Sequence, residues 1–383
     1  MDRTKCVVVG AGVIGLACAR RMAMGGSEVV IVEAADAIGT GMSARSNEVV
    51  HAGLYYRPGS PQARLCVSGR DALFAYCEHH GVACEPIGKL VVATDEAALS
   101  WLTGVRANAR ANGAGELEWL DEDGVRALEP EIRCRAALHS PATGIVDSHG
   151  LMLALLGDAE AAGAVLALGS ALRSVSVTPK GFALGIDSGG EATRLECRFL
   201  INAAGIGAAP IAQSIDGLRP ESIPKIHLAK GTFFALSGPS PFRHLIVPDV
   251  AVQRAGGIFT LDLAGRGRFG PDEEWIAEVD YGLDAGRAPA FTAAVRRYYP
   301  GLDSGALQPD YVAVRPRRNG PGEAMADWLL AGPREHGVAG LVNMCGFESP
   351  GLTAALPIAD AVAAMLLADA DADVAVTGAA APV

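Results

Sequence analysis

Val7-Val8-Val9-Gly10-Ala11-Gly12-Val13-Ile14-Gly15 is a short apolar run that passes directly into a G-x-G-x-x-G pattern. A segment of helical period follows (Leu16, Ala19, Arg20, Ala23). A second apolar run, Val29-Val30-Ile31-Val32, then ends at Glu33. Strand, tight turn, helix, strand and acid in this order read as a dinucleotide-binding unit, which the glycines alone would not establish. Gly10 permits the sharp turn, Gly12 lets the backbone approach a pyrophosphate, and Gly15 lets the helix sit close to the strand. Val13 and Ile14 open the helix, whose unpaired N–H groups and positive end meet the phosphates. Glu33 can accept hydrogen bonds from both hydroxyls of an adenosine ribose, and an acid here disfavours a 2′-phosphate.

The chain has 383 residues, enough for one large domain or two intimately joined ones with a well-buried core. Half the residues are apolar and 20% are charged, the balance of a globular enzyme. With 32 basic against 43 acidic residues the formal charge is -11. Such a chain repels nucleic acid, and no basic run is interleaved with aromatics, so no nucleic-acid partner is expected. The cluster Arg315-Pro316-Arg317-Arg318 is too short for such a groove and fits a local anion site, with Arg317 and Arg318 read as surface residues.

The eight cysteines form no C-x-x-C pair and no histidine spacing completes a zinc pattern, so no metal is expected. Scattered thiols in apolar surroundings fit core positions in a reducing compartment, hence a cytoplasmic location. The amino terminus runs straight into the first strand, with no signal peptide in view. No uncharged apolar run approaches a membrane span, which leaves peripheral contact with an inner membrane open. The tail from about Ala368 to Val383 reads as a helix end fraying into disorder.

Further along, Gln62–Gly81 has helical period, Gly88–Thr94 reads as a strand, and helices fit Asp95–Asn112 and Ser148–Ala162. A helix is also expected to open near Ser43. From Val165 to Asn202 the pattern is β, ending in Phe199-Leu200-Ile201-Asn202-Ala203-Ala204-Gly205, a buried parallel strand entering a glycine turn. Residues 226–280 alternate as strands, and a helix fits Ala288–Tyr299. Gly340–Gly346 is strand plus turn, Ser349–Thr353 a tight turn, and Ala354–Leu367 a helix. Strand-then-glycine elements thus fall in 1–80, 148–222 and 311–383, which read as one discontinuous nucleotide-binding domain. Residues 81–147 and 223–310 read as an antiparallel-rich second domain. The expected class is α/β with an α+β second domain, and a pocket where two such units join is the default ligand site.

The fingerprint alone allows NAD or FAD. Two features favour FAD: no second G-x-G-x-x-G marks a separate nicotinamide domain, and the later glycine turns (Ala204-Gly205; Gly346, Gly351) suit a ligand long enough to touch several.

Residues Gly39-Thr40-Gly41-Met42-Ser43-Ala44-Arg45-Ser46-Asn47-Glu48-Val49-Val50-His51-Ala52-Gly53-Leu54-Tyr55-Tyr56-Arg57-Pro58-Gly59-Ser60 resemble the FAD-dependent D-amino-acid-oxidase superfamily, and more narrowly its L-2-hydroxyglutarate oxidase/dehydrogenase branch. Gly88-Lys89-Leu90, Lys230–Phe234, Arg266–Asp272, Arg315-Pro316 and Gly346–Thr353 extend the likeness, in family order, across nearly the whole chain. The resemblance implies a glutathione-reductase-like FAD-binding Rossmann domain and an antiparallel-sheet substrate domain whose sheet covers the flavin. It implies oxidation of an L-2-hydroxy acid to the 2-oxo acid by hydride transfer to flavin N5. Oxygen, a quinone or another carrier would be the electron acceptor. One departure stands out. Where family members carry a histidine in the strand reading glycine-x-His-x-Thr, this chain has Gly257-Ile258-Phe259-Thr260, with Ile258 at the histidine's place.

Oxidising a secondary alcohol by hydride transfer needs a base for the hydroxyl proton, a cation for the carboxylate and a flavin face in contact. Arg315 is the candidate carboxylate clamp, because a planar fork matches a carboxylate two-fold. His51, in a glycine-flanked turn, is the candidate base. Lys230 could hold a water or the carboxylate, and His227 is a lesser base candidate. One of Tyr55 and Tyr56 should face the pocket while the other packs; Tyr56 is taken as the site residue. Ser43, Arg45, Ser46 and Asn47 are expected at the pyrophosphate and isoalloxazine. The resemblance gives Leu172 backbone bonds to adenine. Gly346 and Gly351-Leu352-Thr353 would offer N–H groups to the flavin N1/C2=O edge. An amine or amino-acid oxidase on the same scaffold is the competing activity, and a flavin-binding regulator without catalysis the competing class.

Overall fold

The structure is a computed structural model that describes the backbone of residues 2–378 and the side chains of residues 2–368. Its contacts divide into two units. One is Met1–Ala44, His149–Ile226 and Pro316–Val383; the other is Arg45–Ser148 and His227–Arg315.

The first unit is built on five parallel strands in the order Val165–Ala167, Val29–Val32, Asp2–Val9, Glu191–Asn202 and Leu341–Cys345. Cys6-Val7-Val8 and Ile31 are fully buried, as strands covered on both faces require. The long strand Glu191–Asn202 also carries an antiparallel extension through Gly181–Ser188 and Ser170–Thr178. Helix Val13–Met24 has Gly12 as its N-cap and packs against helix Ala355–Gly378. That last helix runs on through residues expected to fray; alanine, the strongest helix former, supplies much of its composition. Residues 379–383 of the expected frayed tail lie outside the described residues.

The second unit carries a sheet in the order Glu274–Ile276, His227–Leu236, Gly267–Phe269, Phe259–Leu261, Leu245–Val247, Lys89–Ala93, Ala136–Ser140, Glu118–Asp121, with Leu307–Arg317 added beside His227–Leu236. Along this path one pair, Leu245–Val247 with Lys89–Ala93, is parallel. Leu90, Ile246, Phe259, Phe269 and Phe234 fall in one register row and belong to one core cluster. Successive side chains alternate faces, so Lys89, one residue before Leu90 in its strand, lies on the opposite face. Ala136–Ser140 and Glu118–Asp121 were not legible as strands.

Residues 45–80 differ from expectation: they belong to the second unit, not to the nucleotide-binding pieces. The reason is local. Ala52 and Leu54 pack with Leu102, Val105 and Ala109 of helix Ala98–Ala111, and the Asn108 and Asn112 amides donate to the carbonyls of Gly53, Leu54 and Tyr56. Helix Pro61–His80 starts where expected, with the Ser60 hydroxyl accepting the Ala63 N–H, and ends at Gly81 in the left-handed region. The helix expected near Ser43 is a single 3-10 turn, Ser43–Arg45.

Candidate active site

In the first unit, the turn after strand Asp2–Val9 is set by two close approaches. Gly10 has φ +99, and a Cβ there would lie 2.7 Å from the Ala203 carbonyl oxygen. A Cβ on Gly15 would lie 1.9 Å from the Gly10 carbonyl oxygen, so only glycine lets helix Val13–Met24 begin here. The Val13 N–H donates to Ser43 Oγ at 3.0 Å. The N–H groups of Ile14 and Gly15, in the helix's first turn, lack intrahelical acceptors by the geometry of any helix start. Glu33 closes the turn from the other side: its two carboxylate oxygens accept the Ala11 N–H at 2.7 Å and the Ala35 N–H at 2.9 Å. Each oxygen keeps a further lone pair for a ribose hydroxyl.

Two more loops of this unit reach the same helix start. Ala204 and Gly205 follow Ala203, and Gly205 (φ +58) has Met42 as its nearest neighbour in space. The turn Glu348–Thr353 brings Gly351 against Ile14, whose Cδ1 would stand 3.2 Å from a Cβ on Gly351. Gly346 has φ +72, Leu352 is half-buried and Thr353 fully buried. Leu172 sits at a register break between Leu172 and Ser174, two residues past Ser170, whose N–H donates to the Glu33 carbonyl. A narrow glycine-walled cradle, a free helix start and an acid beyond the second strand fit a dinucleotide.

Arg317 and Arg318 are not the surface residues expected. Arg317 pairs with Glu348 at 3.2 Å, both side chains only 10% exposed. Arg318 donates to the carbonyls of Asp327 and Trp328, and its stem fills the space that a Cβ on Gly346 would need. A carboxylate buried in a glycine turn requires a cation, and the strand bearing Arg317 supplies it.

In the second unit, Arg45 stacks its guanidinium 4.1 Å over the Tyr281 ring and donates to the Val312 carbonyl. Ser46 Oγ accepts the Glu48 N–H, and its carbonyl accepts the Tyr311 hydroxyl. Asn47 is half-buried between them in sequence. Glu48 has φ 58, left-handed for a non-glycine residue, and its carboxylate accepts the Ser148 N–H and hydroxyl. Thus Arg45 and Ser46, expected at the cofactor, are engaged in structuring the chain just ahead of His51.

Burial, with the Lys89 charge beside it, lowers His51 to about 3, so its imidazole is neutral at working pH. Tyr56, the expected site residue, packs instead with Ala63 and Cys66 in a small core cluster. Tyr55 is its counterpart: its ring lies 5.7 Å from the Lys89 ammonium, and the residue is 37% exposed. Lys230 is buried and ion-paired with Asp280, whose carboxyl the Lys230 hydrogen bond lowers. His227 sets its ring edge on Trp275 and lies apart from this group in its contacts. Arg315 is half-buried near the end of strand Leu307–Arg317. Ile258 is half-buried and gives its carbonyl to the Gly270 N–H.

Sequence reasoning passed over Lys89 as a site residue. It is 3% exposed, and burial lowers its ammonium to about 8. Its signal was a lysine opening an otherwise wholly apolar strand, Lys89–Ala93. Among the described residues no grouping of side chains could hold a metal ion, and no helix is long and apolar enough to cross a membrane.

Residues 5–365 match the family model DAO, described as FAD dependent oxidoreductase. The chain is 36% identical to the mitochondrial L-2-hydroxyglutarate dehydrogenase of Arabidopsis thaliana, over 94% of this chain and 83% of that one. It is 26% identical to the L-2-hydroxyglutarate dehydrogenase of Escherichia coli K12, over 92% and 90%. Among solved structures, L-α-glycerophosphate oxidase from Mycoplasma pneumoniae with FAD bound superposes at TM-score 0.86 with 19% identity, covering 96% of this chain and 95% of that one. Glycine oxidase from Geobacillus kaustophilus gives 0.80 with 20% identity and the same coverage.

Proposed function

The chain belongs to the DAO family of FAD-dependent oxidoreductases, and on that footing we propose that it oxidises L-2-hydroxyglutarate to the 2-oxo acid. The observation that carries the substrate is the 36% identity to a plant L-2-hydroxyglutarate dehydrogenase, sustained over 94% of this chain. When bound, FAD supplies the hydride acceptor.

The protein's own residues supply the rest. The Ile14 and Gly15 N–H groups and the positive end of their helix hold the pyrophosphate, with Gly10, Gly12 and Val13 shaping the approach. Glu33 takes the adenosine ribose, and the Leu172 backbone the adenine. Ser43, Ala204 and Gly205 line the same cradle. Gly346, Gly351, Leu352 and Thr353 give backbone N–H groups to the ring's electron-rich edge.

Arg315 clamps the carboxylate next to the carbinol carbon. His51, kept neutral by burial, accepts a hydrogen bond from the substrate hydroxyl and takes its proton. So weak a base suffices because a hydroxyl whose carbon is losing hydride becomes strongly acidic. Until that proton moves, the uncharged imidazole spares a second cation beside Lys89. Tyr55, rather than Tyr56, presents its hydroxyl to this group. Lys230, tied to Asp280, holds the chain around residues 277–284. A redox acceptor completes the cycle; oxygen, a quinone and another carrier are its candidate classes.

Steady-state turnover of the purified holoenzyme with a dye acceptor tests the reading. L-2-hydroxyglutarate should be oxidised far faster than its D enantiomer, glycine, sarcosine or proline. Ile258, an apolar side chain where relatives place a histidine, is the observation that keeps amine or amino-acid oxidation as a second reading. Preference for sarcosine, glycine or proline over every hydroxy acid would establish it.

A further inference from the structure

Of the two buried lysines in the described residues, Lys230 has an acid and Lys89 has none. Lys230 is ion-paired with Asp280, whereas no described carboxylate lies within ion-pairing distance of Lys89. A buried ammonium without a counter-ion is costly, and such groups are rarely retained in a core unless paired or functional. What surrounds Lys89 is the neutral His51, the Tyr55 ring and the Cys66 thiol, itself raised by burial to about 12. All are uncharged, so none of these neighbours is a counter-ion for the cation. The ring quadrupole of Tyr55 steadies it without neutralising it. Val91, two residues along the same strand, shares the face of Lys89, so this face sets a positive charge beside an apolar side chain.

L-2-hydroxyglutarate carries two carboxylates. The proposed reading gives the one beside the carbinol to Arg315, and Lys230 is already engaged, which leaves the distal carboxylate without a cation. We propose that Lys89 binds the distal carboxylate of the substrate and thereby selects a dicarboxylate over a monocarboxylate 2-hydroxy acid of the same length. This inference rests on the proposed reading of the substrate.

The test compares wild type, Lys89→Met and Lys89→Arg as holoenzymes, each confirmed by its FAD content. Two non-reacting acids of equal length, glutarate and pentanoate, are titrated while the flavin absorbance is followed. Turnover of L-2-hydroxyglutarate and L-2-hydroxypentanoate is then measured. In wild type, glutarate should bind well ahead of pentanoate. Lys89→Met should lose on the order of 10²-fold in glutarate affinity and in kcat/KM for L-2-hydroxyglutarate, mainly through KM. Its pentanoate affinity should move by less than about three-fold, and Lys89→Arg should recover part of the loss. Equal loss on both acids, or on neither, overturns the assignment. Should Lys89→Met fail to retain FAD, Lys89→Gln carries the same comparison. If wild type oxidises no 2-hydroxy acid, the substrate reading itself has failed. If it oxidises L-2-hydroxyglutarate and the variants do so equally well, only the role of Lys89 has.

Discussion

The Ser43 hydroxyl accepts the Val13 N–H at 3.0 Å, tying the 3-10 turn Ser43–Arg45 to the start of the first helix. A Cβ on the intervening Gly12 would stand 3.1 Å from that hydroxyl oxygen. Ser43→Ala should therefore weaken FAD binding mildly, by the loss of one cap worth about 1 kcal/mol. Gly15→Ala should give protein without FAD, because its Cβ has no room against Gly10. FAD content after purification, followed by back-titration of the cofactor, separates the two.

Glu33 holds two backbone N–H groups of its own chain. Removing its carboxylate leaves the Ala11 and Ala35 N–H groups without their acceptor. Glu33→Ala should lower the melting temperature of the cofactor-free protein, at roughly 1–3 kcal/mol for each donor left unsatisfied. A role confined to ribose binding would leave the cofactor-free melting temperature unchanged.

Lys89 should be a residue at which stability is given up for function. Its ammonium is lowered from 10.5 to about 8, so the fold penalises the charged form by about 3 kcal/mol. The penalty is present in full below pH 8 and fades as pH rises towards 10.5, where the unfolded chain also loses its proton. Lys89→Met should thus melt higher than wild type at pH 7, with the gap narrowing above pH 8. Thermal melts at a series of pH values read both effects.

His51 carries the opposite diagnostic. Because burial holds it near 3, the kcat/KM profile should show no acid limb in the ordinary histidine range. Between about pH 6.5 and 3 the unfolded chain takes up a proton that the folded chain refuses. Stability should therefore fall as pH drops through this window. His51→Gln should flatten that slope and cut kcat. An acid limb near 6.5 that His51→Gln removes would show the imidazole titrating in contact with water.

Breaking the Arg317–Glu348 pair should be severe. With both side chains 10% exposed, Glu348→Gln removes the carboxylate charge that faces a buried guanidinium, at about 3–5 kcal/mol. The turn bearing Gly351 and Thr353 should loosen and FAD be lost with it, read as a melting-temperature drop together with a colourless preparation.

Much of the first unit could be read from the chain because its constraints are local. Gly10, Gly12, Gly15 and Glu33 lie within one strand–helix–strand segment, where spacing alone reports geometry. The second unit depends on pairings far apart in sequence. Residues 45–80 cluster with the second unit, and the Asn108 and Asn112 amides that hold residues 53–56 there have no sequence pattern that would show them. Tyr55 and Tyr56 differ by a single step in a turn, so no periodicity assigns their faces. Arg317 reads as a solvated basic residue until Glu348, some thirty positions on, is seen against it. Lys89 was hidden for the same reason: a lysine leading an apolar strand looks like an edge position until the strand is found with neighbours on both sides.

The most direct measurement is anaerobic: one equivalent of L-2-hydroxyglutarate added to the oxidised holoenzyme, with flavin absorbance and 2-oxo acid followed together. The account predicts bleaching with one 2-oxo acid formed per FAD reduced. A flavin that stays oxidised with this substrate but bleaches with sarcosine, glycine or proline, or a protein that takes up no FAD at all, would contradict it.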